Sequence, residues 1–168
     1  MSGNRVFVTS EANDDGKKSL LTLCFNRATG RELWRHDFGL GVNQRVHEKS
    51  NLAANTPAVT ADAVYVAFGN ADIARYSHDG KLAWVNRYIP RFGDPKMAWG
   101  YCLSPLVLDD SILFPWDHHT GPCFLIGLNP QSGEIAWQAD RPIGTAHATP
   151  LLVEHHGQKD ILVPEIGR

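Results

Sequence analysis

The sequence predicts an all-β fold assembled from repeated units of four antiparallel strands, and three observations predict it. A glycine turn followed by a tryptophan strand is written three times, as TGRELW (29–34), DGKLAW (79–84) and SGEIAW (132–137). Gly30, Gly80 and Gly133 each stand four residues before Trp34, Trp84 and Trp137, and the glycines are 50 and 53 residues apart. A second landmark recurs out of phase, TPAV at 56, SPLV at 104 and TPLL at 149, spacing Pro57, Pro105 and Pro150 by 48 and 45 residues. Between the landmarks lie short apolar runs bounded by polar turns, and no segment sustains a 3.6-residue period with helix caps. A period near fifty residues marks a repeat architecture whose units cover one another.

The elements follow in chain order. Residues 1–38 read as a partial unit: VFVTS aligns with a second strand, NDDG at 13–16 is a hairpin turn without the ligand ladder of a calcium loop, and the glycine turn and tryptophan strand follow. Residues 56–89 form a full unit. Pro57 opens its first strand, where a missing N–H disturbs the ladder least. In AVYVAF (63–68) both alternating sets are apolar, so both faces of that strand are covered and sheets must stack. Residues 104–142 repeat the plan with SILFPW at 111–116, and residues 149–168 begin it again, with EHHG (154–157) as a polar turn and DILVPE (160–165) as the second strand. The turns ATG, HDG and QSG place glycine where positive φ is needed.

Four-stranded units of this length, stacked face to face, are the blades of a β-propeller. Each tryptophan is the largest piece of cover one blade offers the next. Burying such a ring removes roughly 150 to 250 Å² from water, an upper bound of about 4 to 6 kcal/mol. Thirteen strands, about three and a quarter blades, fall short of the roughly 4 to 8 blades of a closed ring. The expectation is an incomplete arc, completed either by the remaining blades of a longer chain or by a second copy.

Composition narrows the function. The 168 residues are 43% hydrophobic, enough for a core, and carry a net charge of -2, which offers no basic surface to nucleic acid. No run of 18 apolar residues exists, so no membrane-spanning helix is predicted. The opening MSGNRVFVTSEANDDGKK lacks the pattern of a secretory leader. Cys24, Cys102 and Cys123 are odd in number and show no CxxC spacing, which favours neither a disulfide framework nor a thiolate zinc site.

CFNRATGRELW, ARYSHDGKLAW and GLNPQSGEIAW resemble the PQQ-like repeat of the quinoprotein alcohol dehydrogenase-like propellers. That tryptophan-docking pattern runs small residue, apolar residue, Asp, two variable positions, Thr-Gly-Lys, then Trp. On this alignment the small residue is Cys24, Ala74 and Gly127, the Asp position holds Asn26, Tyr76 and Asn129, and the Thr survives only as Thr29, replaced by Asp79 and Ser132. WD occurs once, at Trp116-Asp117, and paired kelch glycines are absent. The resemblance implies a loop face over the channel, built from the segments at 36–56, 88–104 and 140–149 and the loops between second and third strands. His47, Asn55, Asn70, Trp99, Asp117, His118, His119 and His147 are the binding candidates there. WDHHTG (116–121) with His147 reads either as a metal corner or as a solvated turn. Trp99 reads either as a stacking platform or as inter-blade packing.

Two functions follow from the resemblance. One is a non-catalytic scaffold or binding module, similar to outer-membrane assembly members of the superfamily, which takes a protein, peptide or small ligand and needs no cofactor. The other is part of a PQQ- and calcium-dependent alcohol or polyol dehydrogenase. That chemistry needs a carboxylate base, a calcium pair, a cation and a ring platform, roles for which Asn70, Arg91, Trp99 and Asp117 are the candidates. The vicinal cysteine pair of the methanol dehydrogenase type is not in the sequence. Family resemblance also implies a periplasmic or secreted location.

Overall fold

The structure, a computed structural model, describes residues 1–15, 17–39, 46–142 and 148–164. Among them are thirteen strands in four antiparallel sheets, each sheet ordered as its strands occur in the chain. The first sheet has three strands, β1 (Arg5–Asp14), β2 (Lys17–Asn26) and β3 (Glu32–Asp37). Two four-stranded sheets follow, β4 (Ala58–Val59), β5 (Val64–Ala67), β6 (Asp72–Tyr76) and β7 (Leu82–Arg87), then β8 (Leu106–Val107), β9 (Ile112–Trp116), β10 (Cys123–Leu128) and β11 (Ile135–Arg141). The hairpin β12 (Leu151–His155) and β13 (Gln158–Leu162) makes the fourth. The fold is an incomplete β-propeller. Among the described residues one helix occurs, α1 (Ile89–Phe92), a single turn in the loop after β7. Pro90 sits in its first turn, where the fixed φ suits a helix start, and the Tyr88 carbonyl accepts from the Arg91 and Phe92 N–H groups.

β5 shows why the sheets stack. Its odd-numbered side chains, with Ala63, join Ile112, Phe114, Trp116 and Ile126 of the third sheet. Val64, Val66 and Phe68 join Phe7, Leu20 and Cys24 of the first. The doubly apolar run therefore lies between two cores, as its pattern required.

The repeated tryptophans link consecutive sheets. The Trp34 ring covers the turn at Gly80, and its Nε1 donates to the His78 carbonyl at 3.0 Å. Trp84 covers Gly133 in the same way, donating to the Pro130 carbonyl at 3.1 Å. Both glycines are needed twice over. They hold φ of +92° and +74°, and a Cβ would meet the indole at 2.8 and 2.6 Å. Trp137 has no following turn among the described residues and is 40% exposed, resting on Gly127 of its own sheet.

The second repeat corrects the alignment read from sequence. Cys24 faces Trp34 and Gly127 faces Trp137 across their strands, but Arg75, not Ala74, faces Trp84. Ala74 and Tyr76 point to the other side, into the core shared with the first sheet. The reason is a turn one residue shorter. Asn26 Oδ1 accepts from Ala28 and Thr29 N–H, and Asn129 Oδ1 accepts from Gln131 and Ser132 N–H. In the second repeat Ser77 takes that role, its Oγ accepting from Lys81 N–H at 3.1 Å. Arg75 fits beneath the ring's strand because its guanidinium reaches Asp62 at 3.0 Å.

The Thr/Ser-Pro landmarks have a job beyond starting strands. Thr56 N–H donates to Ser104 Oγ at 2.9 Å, and Ser104 N–H donates to Thr149 Oγ1 at 3.1 Å. The hydroxyls before Pro105 and Pro150 thus accept from the same position one repeat earlier, tying successive inner strands together.

Candidate functional site

The loop after β3 and the loop after β7 run side by side. His47 N–H donates to the Ala98 carbonyl at 2.8 Å, and Ser50 Oγ to the Trp99 carbonyl at 3.1 Å. Gly69, in the β5–β6 loop, joins both: its N–H donates to the Leu52 carbonyl at 2.6 Å, and its carbonyl accepts from Tyr101 N–H at 2.7 Å. Leu52 N–H in turn donates to Glu11 at the far end of β1, at 2.9 Å. Burial alone would raise the Glu11 carboxyl, but the Lys18 ammonium and this N–H hold it below its usual range.

Most polar candidates on this face are occupied in holding it together. Asn55 is 4% exposed, and its Nδ2 donates to the Tyr101 and Leu103 carbonyls at 2.9 and 3.0 Å. It is a strut between the loops. Asn70 is buried, its Nδ2 donating to Asp72 at 3.0 Å while its Oδ1 accepts from Asp72 N–H. Asp72 escaped the sequence reading because one acidic residue at the start of a strand carries no motif. Its burial raises the carboxyl to about 6, with Arg87 at 3.9 Å and Asn70 opposing that rise. Asp117 is fully buried, bonded to Arg141, and its N–H donates to the Tyr101 hydroxyl at 2.8 Å. Arg87 and Arg141 close the tryptophan strands of successive sheets, and each meets a buried carboxylate, Asp72 at the start of β6 and Asp117 just after β9.

Among the described residues the candidate histidines do not converge. His118 Nδ1 accepts from Thr120 and Gly121 N–H at 3.1 and 2.7 Å, so that nitrogen shapes the turn rather than awaiting a metal. His119 is exposed, with its backbone N–H on the Pro95 carbonyl. His147 lies outside the described residues. Cys102 and Cys123 are free thiols, Cys102 directed at the Trp99 carbonyl and Cys123 packed against the His118 backbone.

The outward-facing group is the pair His47 and Trp99. Their rings stack at 4.0 Å with an interplanar angle of 24°, and Trp99 is 41% exposed. Beside them Val46, His47, Glu48 and Ala98 line an open hollow of about 430 Å³. Arg91 stands elsewhere, lining a separate hollow with Asn86 and Ser132–Ile135.

The four candidates for PQQ and calcium, Asn70, Arg91, Trp99 and Asp117, have different surroundings. Asp117 is buried against Arg141, Asn70 is bound to Asp72, Arg91 belongs to another hollow, and one face of Trp99 is covered by His47. Two of them, Asn70 and Asp117, are tied into the scaffold.

Stacked four-stranded sheets, tryptophans seated on the next glycine turn and long loops gathered on one face define a β-propeller of the PQQ-like repeat class. The chain belongs to the PQQ-like repeat family described as outer membrane protein assembly factor BamB, whose sequence profile matches residues 17–163. Similar solved structures include a europium-containing methanol dehydrogenase (TM-score 0.59, 14% identity, covering 83% of this chain and 23% of that one). The quinohemoprotein alcohol dehydrogenase from Comamonas testosteroni is similar too, with TM-score 0.55, 13% identity and coverage of 82% and 23%. BamB from Moraxella catarrhalis matches at TM-score 0.50 and 18% identity, over 89% of this chain and 42% of that one. The chain therefore spans less than half the length of each. No curated protein matches significantly. No helix among the described residues is long and apolar enough to cross a membrane.

Proposed function

We propose that the chain is a non-catalytic propeller module that binds a protein or peptide segment on its loop face. The observation that carries this reading is the exposed Trp99 ring, braced by His47 beside an open hollow, on a face where Asn55, Asn70 and Asp117 are engaged with the scaffold. A rigid, half-exposed aromatic is the kind of group that anchors a partner's apolar side chain. Asp117 is poorly placed as a base: it is buried, salt-bridged and out of reach of a substrate. Membership of a family described as an assembly factor agrees with a binding role.

Selection of displayed random peptides on the chain tests this. Peptides enriched on the unaltered protein are expected to lose at least tenfold in affinity on Trp99→Ala, whose circular dichroism stays unchanged because the ring is at the surface. Undiminished binding by Trp99→Ala refutes the site. Stoichiometric uptake of PQQ with calcium, followed by the quinone absorbance, refutes the non-catalytic reading.

A further inference from the structure

Two opposite charges line one hollow without meeting. Where the loop after β7 passes the turn joining β10 to β11, between the two complete sheets, lies an open hollow of about 380 Å³. Asn86, Arg91, Ser132, Gly133, Glu134 and Ile135 line it. Arg91 and Glu134 are both exposed, and among the described residues neither has a salt-bridge partner, including each other.

Each charge is held where it stands. Arg91 rides on α1, where the Tyr88 and Ile89 carbonyls accept from the Arg91, Phe92 and Gly93 N–H groups. Phe92 anchors that turn, its ring stacked on Tyr88 at 5.6 Å and in contact with Trp116 and Phe124 at 5.2 and 5.1 Å. The Arg91 guanidinium lies over the same ring, 5.2 Å from its centroid. A guanidinium laid on an aromatic face keeps its N–H donors in its own plane, where a carboxylate can take two of them. On the other element, Ser132 pins Glu134: its Oγ accepts from the Glu134 N–H at 3.2 Å and donates to Oε2 at 3.3 Å. Oε1 is left without a donor among the described residues. Asn86 adds a second acceptor. Its Nδ2 hydrogens go to the Gly133 carbonyl and the Tyr88 hydroxyl, so Oδ1 is what it has left to offer.

We infer that this hollow binds a small zwitterion of the α-amino acid type, its carboxylate on the Arg91 guanidinium, its ammonium at Glu134 Oε1 and Asn86 Oδ1, and its side chain against Ile135. A ligand with a single charge answers one of the two groups and leaves the other unmatched. The volume falls in the range of small-molecule sites, roughly 300 to 1,000 Å³. The seam between the first two sheets does not repeat the arrangement: Lys81 follows Gly80 where Glu134 follows Gly133, and His36 stands two residues after its tryptophan where Asn86 does. The site is separate from Trp99 and stands independently of peptide binding there.

Isothermal titration calorimetry with L-alanine tests this, with propionate and ethylamine as probes that keep one charge each. Alanine is expected to bind saturably at millimolar concentration, and each probe at least tenfold more weakly. Arg91→Ala and Glu134→Gln are each expected to lower alanine affinity at least tenfold, with unchanged circular dichroism because both side chains are exposed. Trp99→Ala is expected to bind alanine as the unaltered chain does. No saturable binding of alanine overturns the inference. Propionate binding as tight as that of alanine overturns it too, since Arg91 is then a plain anion contact, and so does alanine binding that both seam variants retain.

Discussion

Asn55→Ala removes one buried amide and two hydrogen bonds, and the structure allows its cost to be worked out. The Nδ2 group donates to the Tyr101 and Leu103 carbonyls at 2.9 and 3.0 Å, in surroundings that leave the residue 4% exposed. Each bond is worth about 0.5 to 1.5 kcal/mol net, and truncation leaves two carbonyls buried without that donor, at about 1 to 3 kcal/mol for each that finds no substitute. A loss of about 2 to 4 kcal/mol follows, a large share of the roughly 5 to 15 kcal/mol that holds an ordinary domain together. Asn55→Asp should cost more than Ala, because it turns a donor into a charged acceptor facing two carbonyl oxygens. Urea unfolding followed by far-ultraviolet circular dichroism at fixed protein concentration reads both variants. If Asn55→Ala unfolds within about 0.5 kcal/mol of the unaltered chain, the amide is not a strut.

Two further perturbations probe the frame and its charges. Trp84→Ala should cost about 3 kcal/mol, from half-burial of a large ring and loss of the bond to the Pro130 carbonyl. Gly133→Ala should cost more in the unaltered chain than in Trp84→Ala, because only the former keeps the indole 2.6 Å from the new methyl; additivity in that double-mutant cycle, read from the same unfolding curves, would refute the contact. Asp72 has a folded carboxyl raised from 3.8 to about 6, so the folded state binds the extra proton between those values. Its contribution is fully present below about pH 4 and is lost as pH rises through 6, about 3 kcal/mol in total. Unfolding curves taken from pH 4 to 7 should show a flatter profile for Asp72→Asn, and an unchanged slope would refute burial as the cause.

The frame was legible because its signature residues act between repeats. Gly80 and Gly133 must leave room for Trp34 and Trp84, and the hydroxyls before Pro105 and Pro150 accept from the preceding repeat, so the same residue types recur about every fifty positions. Where the local count changes, spacing alone misplaces the cross-strand pairing. The turn from Ser77 to Gly80 is one residue short, which moved Arg75 into the place assigned to Ala74 and hid the cap supplied by Ser77. α1 was missed for a different reason: a single turn is too short to show a period, and its only local cue was Pro90.

The loop face was legible as a location but not as chemistry. Asn55, Asn70, Asp117 and His118 are residue types that bind ligands and also residue types that hold loops, and only burial and partners separate the two uses. Asn55 and His118 illustrate the difficulty, because each satisfies backbone groups of segments close in space: Tyr101 and Leu103 for one, Thr120 and Gly121 for the other. A long loop without regular structure leaves backbone groups that no ladder serves, and side chains must serve them if the loop is to stay folded. The polar residues most readily taken for a catalytic set are thus the ones a long propeller loop needs for itself. Trp99 differs in kind. Its backbone carbonyl is used by Ser50 and Cys102, but its indole, beyond the stack with His47, faces outward. A side chain that the loop holds in place through its backbone, while its largest surface remains uncovered, is the group on which the proposed binding role rests.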